Sequence, residues 1–215
     1  IDGGAGLVGG CVPRDDGDPV FCALMNGERQ GEGVWRFMLE GQVRAVPRYS
    51  RNTPILVTRL EADDGSAVDV IDFCPRSERS GRMYRPVAYA RIIRPVAGNP
   101  RIRMNLSPMR DHGAELAPTT RGTNHIRYLI GNQPLRLTTD APIGYLVEQL
   151  TFRVEADLHF FLGPDEPFTG NVRETVRGME EATGQYWRGW VRGLATPLDW
   201  QDAVIRAAIT LKLCQ

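Results

Sequence analysis

The chain has 215 residues, enough for one large all-β domain or two small ones around a real core. Its 26 basic residues balance 26 acidic ones, so the electrostatic footprint of a nucleic-acid or anionic-lipid partner is missing and neither partner is expected. No run approaches the roughly 18 to 20 apolar residues needed to cross a bilayer, so no membrane span is expected.

Of the basic residues 25 are Arg and only Lys212 is Lys. Codon preference in a GC-rich genome accounts for that skew more simply than guanidinium recognition of anions. Cys11, Cys22, Cys74 and Cys214 show no C-x-x-C spacing, so thiols without disulfides are expected. His112, His125 and His159 lie far apart in sequence and form no metal motif. No cofactor and no metal are expected. The first residue is Ile1, and no basic segment followed by an apolar core suggests a signal peptide. The expectation is a cytoplasmic piece of a longer protein.

In chain order, Ile1 to Val8 looks like a turn entering a strand. Strand signals follow at 33–39, 44–49, 54–61, 67–73, 87–96, 101–106, 125–130, 135–137, 145–148, 151–155 and 158–162. The alternation is cleanest over 101–106, and the Asp-Gly pair in Asp63-Asp64-Gly65-Ser66 suits a tight hairpin between two strands. Roughly a dozen strands punctuated by Gly and Pro predict a mainly β fold over 1–165, a large antiparallel β-sandwich. From Asn171 the period changes to helical. Val172, Val176, Met179, Ala182, Tyr186, Trp187, Trp190 and Leu194 mark one face of a linker helix within 166–197. Gly178, Gly184 and Gly189 weaken that helix by about 1 kcal/mol each, so it needs neighbours.

Residues 198–215 predict a further helix, with Asp199 as its cap and Asp202 in its first turn. Ala203, Val204, Ala207, Ala208, Leu211 and Cys214 recur at helical spacing as an apolar stripe. Two readings of the stripe stand: it packs back on the sheet, or it opens a helical domain that continues beyond Gln215. In the second case the stripe is expected to stay exposed and to drive self-association.

Four stretches carry a resemblance. They are Cys11-Val12-Pro13-Arg14-Asp15-Asp16-Gly17-Asp18-Pro19-Val20-Phe21, Val70-Ile71-Asp72-Phe73-Cys74-Pro75, Tyr186-Trp187-Arg188-Gly189-Trp190, and the run from Asp202 to Leu213. In this order and spacing they resemble the N-terminal domain of glycoside hydrolase family 15, the glucoamylases, glucodextranases and bacterial trehalases. The resemblance covers essentially the whole chain. It implies a trehalase-like N-terminal super-β-sandwich ending in the first helix of an (α/α)6 barrel, with 198–215 as the start of that catalytic domain. It also implies a parent enzyme that hydrolyses α-glucosidic bonds by inversion, with both catalytic glutamates in the barrel, so that no residue here is catalytic. The partners implied are that barrel in cis and an α-glucoside or oligosaccharide substrate.

Two positions depart from the family pattern: Asp15 stands where an aromatic residue is usual, and Gly9 is the nearest match to a usual Trp. By resemblance, Arg14, Asp16 and Asp18 brace a loop at the mouth of the barrel or shape its sugar pocket. Read alone, the Asp-Asp-Gly-Asp cluster has calcium-like oxygen chemistry without the twelve-residue loop spacing, and a turn explains it. Trp187, Trp190, Trp200, Val204, Ala208 and Leu211 are domain-interface candidates. Trp35, Trp187, Trp190 and Trp200 are also candidate sugar platforms, although their spacing favours core and interface. The alternative function is a free-standing carbohydrate-binding β-sandwich.

Overall fold

The computed structural model describes residues 1–14, 16–25, 31–131 and 134–214. The first elements are β1 (Gly10–Cys11), β2 (Pro19–Phe21), β3 (Trp35–Leu39), β4 (Gln42–Tyr49), β5 (Leu56–Ala62) and β6 (Ala67–Phe73). Next come β7 (Ser77–Arg79), β8 (Arg82–Tyr84), β9 (Tyr89–Ala97), β10 (Arg101–Leu106), β11 (Met109–Arg110) and β12 (Glu115–Leu116). The chain continues through β13 (Thr119–Arg121), β14 (His125–Tyr128), β15 (Leu135–Thr139), α1 (Ile143–Val147), β16 (Phe152–Arg153) and β17 (Leu158–Pro164). It closes with α2 (Val172–Arg192) and α3 (Gln201–Leu213).

An eight-stranded antiparallel sheet in the order β13-β14-β15-β17-β9-β6-β5-β4 faces a three-stranded sheet, β16-β10-β3. The fold is mainly β, as the strand periodicity predicts. In β10 the alternation is literal: Ile102 and Met104 are buried while Arg101 and Arg103 face solvent. All seven residues of β6 are buried, because this central strand is covered on both faces. Its Val68 and Val70 join the core between the sheets, where Phe37 of β3 meets Phe160 of β17 at 4.9 Å between ring centroids. Its Ile71 and Phe73 point the other way and pack with Ile92, Phe161 and the Val172-Val176-Met179 face of α2. The hairpin at Asp63-Asp64-Gly65-Ser66 joins β5 to β6, with Gly65 at φ +81°.

A buried ion pair crosses the interior. Arg91 of β9 and Asp72 of β6 sit directly opposite in register and are 2% and 4% exposed. The guanidinium Nε donates to Asp72 Oδ1 at 2.5 Å, Nη1 donates to the Trp35 carbonyl at 2.7 Å and Nη2 to the Ala5 carbonyl at 2.5 Å. It also lies over the Trp35 and Phe37 rings, 4.9 and 5.0 Å from their centroids. One side chain therefore joins the large sheet, the small sheet and the N-terminal segment.

Strand β4 is an edge of the large sheet and mostly exposed. It carries Pro47, which has no N–H to offer, and Arg48, which donates to Asp69 at 3.2 Å. The opposite edge, β13, has three exposed residues.

Two sequence expectations are corrected. Residues 145–148 are not a strand: they fall in α1 and its C-cap, where Pro142 occupies the N-cap and buried Ile143 and Leu146 are spaced for one helical turn. Asp199 does not cap α3: the N-cap is Trp200, in a left-handed conformation at φ 63° with no side-chain cap bond. The apolar stripe of α3 is exposed or half-buried along its length, as the second reading of it expects, and the helix instead buries Ile209 against Trp187 and Val191. In α2 the expected start holds, since the Asn171 side chain accepts from the Glu174 N–H at 3.3 Å.

Removing one partner of a buried, hydrogen-bonded ion pair leaves the other charge unpaired, at a cost of about 3 to 5 kcal/mol. Arg91→Met should destabilise the fold by that amount in urea unfolding. It should also speed hydrogen exchange at Leu7, whose N–H bonds the Trp35 carbonyl at 2.9 Å. A loss within 1 kcal/mol would remove the pair from its central role.

Candidate functional site

The Arg14 turn is built as an exposed fork-to-fork pair. Arg14 donates from Nε to Asp16 Oδ1 at 2.9 Å and from Nη2 to Asp16 Oδ2 at 3.1 Å, with the side chains 75% and 68% exposed. The Gly17 N–H closes the turn on the Arg14 carbonyl at 3.1 Å. Asp18 points elsewhere, to His112 Nδ1 at 2.8 Å. Asp15 lies outside the described residues. Gly9 stands open, with no atom within 4 Å of the place a Cβ would take.

The base of the turn, Val12 and Pro13, borders a cleft with Val87, Leu135 and Pro164. These residues mark the end of the large sheet where β9 and β15 begin and β17 finishes. At the same end lies an apolar pocket of about 250 Å³. Tyr49, Leu56, Cys74, Tyr89 and Leu213 line it, with Asp72 and Arg91 at its floor. Burial pushes the Tyr89 phenol up to about 12, so it is a proton donor and not a base. Gly10 lies close beside it: an added Cβ would come 2.8 Å from the Tyr89 hydroxyl and would push the ring aside. Since Arg91 and Asp72 satisfy one another, this floor presents no free acid or base.

Helix α3 closes that pocket through Leu213 and is tied down by two arginines. Arg206 donates to the Thr53 carbonyl at 2.9 Å and lies 3.7 Å from the Tyr49 ring centroid. Arg76 donates to the Lys212 carbonyl at 3.4 Å and sits over the Tyr186 and Trp187 rings. Trp187 is fully enclosed by the chain, Trp190 half-buried and Trp200 83% exposed. Val204 and Ala208 are half-buried, and Leu211 is 71% exposed. Of the sugar-platform candidates, Trp35 is fully buried in the core.

The carboxylates are mostly spoken for by local structure. Asp64 accepts from the Ser66 N–H at 2.7 Å and shapes its hairpin. Asp140 accepts from the His159 N–H at 2.7 Å and lies 2.9 Å from its Nδ1. Glu180 shares a groove with Arg94, Arg177 and Arg188 on the outer face of the large sheet. Burial pushes its carboxyl above the ordinary range, more than Arg94 and Arg177 pull it down. Among the described residues, no group of three or more His, Cys, Asp or Glu could hold a metal ion. Nor is any helix among them long and apolar enough to cross a membrane. No disulfide joins the four cysteines.

A scan of protein-family models, a search of curated proteins and a search of solved structures each find no match to this chain.

Sequence reasoning missed Arg91, Arg76 and Arg206, which hold the pieces together. A signal for the first was present: Arg91 interrupts an apolar strand run, and Asp72 interrupts Val70-Ile71-Asp72-Phe73 in the same way. Nothing local marked Arg76 or Arg206, whose partners lie 136 and 153 residues away.

Arg14→Ala should loosen the turn, seen as faster exchange at Gly17, and change stability by no more than about 1 kcal/mol because the pair is exposed. Glu180→Gln should raise the melting temperature near neutral pH. Below its ordinary value of 4.5 folded and unfolded chains both carry the proton, so the gain should vanish there. As pH rises the unfolded chain ionises first, which penalises the fold until the substitution removes the charge. A melting temperature equal to the parent's at every pH would contradict this.

Proposed function

We propose that this chain is a non-catalytic N-terminal β-sandwich, of the kind found in glycoside hydrolase family 15, that carries an α-helical catalytic domain on α3. The observation that carries this reading is the one-sided anchoring of α3. Ile209 is fully buried against α2, while Trp200, Leu211 and Leu213 are 83%, 71% and 49% exposed and Leu198, just ahead of the helix, is 94% exposed. Covering apolar surface is worth about 25 cal/mol per Å², so several such side chains left in water forfeit a few kcal/mol. A helical partner packed on this face recovers it. The collinear motifs from Cys11 to Leu213 support the family.

In this reading both groups needed for inversion, an acid and a base roughly 6.5 to 9.5 Å apart across the glycosidic bond, belong to the helical domain. The sandwich fixes α3 through Arg76 and Arg206 and presents the Arg14 turn toward the mouth of the barrel. The substrate class is an α-glucoside, starch-type oligosaccharide or trehalose. Cytoplasmic location belongs to the same proposal.

The purified chain should release no glucose from maltooligosaccharides or trehalose. It should self-associate with rising concentration in sedimentation, and the double variant Trp200→Ser, Leu211→Glu should return it to monomer. Two results would overturn the reading: glucose release that follows the chain through purification and disappears when a sandwich carboxylate is changed, or a strictly monomeric chain at all concentrations.

A further inference from the structure

A second surface, separate from the α3 face, has the chemistry of a ligand site. Between α2 and the β7–β8 hairpin runs an open groove of about 470 Å³, within the roughly 300–1,000 Å³ range of small-molecule sites. Tyr186 and Trp190 lie one helical turn apart on its α2 wall, both half-buried. Both pack edge-on against the enclosed Trp187, with centroids 5.5 Å away in each case, so the two rings are held in place. Gln185 of α2 and Ser77 and Glu78 of β7 supply an amide, a hydroxyl and a carboxylate along the same groove. The Glu78 and Gln185 side chains are exposed and form no hydrogen bond or ion pair with the described residues.

Gly189 is an independent observation. It sits inside α2, where glycine costs about 1 kcal/mol relative to alanine. An added Cβ there would meet nothing within 4 Å, so no packing in the chain requires the glycine. It lines the groove beside the two rings and keeps that space open.

We infer that this groove binds a neutral saccharide through the face of a pyranose ring. A pyranose presents an apolar face of C–H bonds edged by hydroxyls. The face can lie on a fixed aromatic ring, while the hydroxyls take hydrogen bonds from an amide and give them to a carboxylate. Among the described residues, Glu78 is the one acidic or basic side chain lining the groove, which disfavours phosphorylated or carboxylate ligands. Nearby Arg76 does not line the groove, and its guanidinium donates to the Lys212 carbonyl and lies over two rings. A purely apolar ligand would leave three polar side chains unmatched. The remaining competitor is an organic cation, since aromatic rings beside a carboxylate also suit quaternary ammonium groups.

The test is an amide and indole NMR titration of the whole chain with maltotriose, cellotriose and tetramethylammonium chloride. One of the saccharides should shift the backbone signals of Gln185 and Gly189 and the indole N–H of Trp190. Glu78→Ala and Gln185→Ala, both at exposed positions, should each weaken that binding about tenfold. Gly189→Leu fills the groove and favours the helix, so it should abolish binding without lowering the melting temperature. Three results would overturn the inference: no saccharide shifting these signals at tens of millimolar, undiminished binding by Gly189→Leu, or tetramethylammonium giving the larger shifts at the same residues. Because the groove and the α3 face are separate surfaces, failure here leaves the helical-domain reading standing, and the reverse also holds.

Discussion

The guanidinium of Arg91 is the constraint on which the other contacts depend. A charge enclosed between two sheets is tolerable only when its donors are met, and here a carboxylate and two backbone carbonyls meet them. The carbonyls belong to Ala5 and Trp35, so the charge can be satisfied only with the N-terminal segment and the small sheet in place. A lysine would give a point charge on a flexible stem. The planar fork of arginine reaches acceptors in three directions at once and also lies flat over the Trp35 and Phe37 rings. The sheet-end pocket follows from this arrangement, since its floor is the same ion pair and one of its walls is Leu7.

Two further arginines extend the principle outward, where apolar burial is thinner. The helix α2 lies on the outer face of the large sheet through Val172, Val176 and Met179, a conventional apolar seam. For α3, by contrast, Ile209 is the one fully buried residue. Its position depends instead on polar ties to backbone carbonyls, one near the middle of the helix and one at its C-terminal end. Arg206 donates back to the Thr53 carbonyl, and Arg76 donates to the Lys212 carbonyl near the negative end of the helix dipole. The orientation of α3 is thus specified more firmly than its stability, a combination suited to presenting a face for something else to cover.

Much of the fold was legible because the sheets bury their faces in simple ways. Residues 67–73 and 101–106 match β6 and β10 end to end: one is buried on both sides and the other alternates against solvent. The Asp-Gly turn was readable because it meets a local backbone need, and the change to helical period at Asn171 marked where α2 begins. Residues 145–148 misled because a single turn of helix and a short strand place apolar residues alike, and Pro142 tipped the balance. The burial of Ile209 in α3 was not legible, because Ile209 lies outside the stripe from Ala203 to Leu211. It was decided by Trp187 and by arginine partners more than a hundred residues away. At the candidate site Arg14, Asp16 and Asp18 were named by resemblance, and the structure pairs Arg14 with Asp16 while Asp18 turns to His112. The saccharide groove was not legible, since it arises only when the β7–β8 hairpin folds against α2.

The edges of the large sheet bear on how the molecule can meet copies of itself. Strand β4 carries Pro47 and charged arginines along its open side, and β13 offers only three residues. Neither edge is a good template for adding another strand, so the sheet does not propagate from molecule to molecule. The self-association proposed for the apolar side of α3 would therefore not extend through the sheet. Two such faces paired about a twofold axis would cover each other. On that proposal, crowding would favour closed pairs that dissociate on dilution over open-ended fibres.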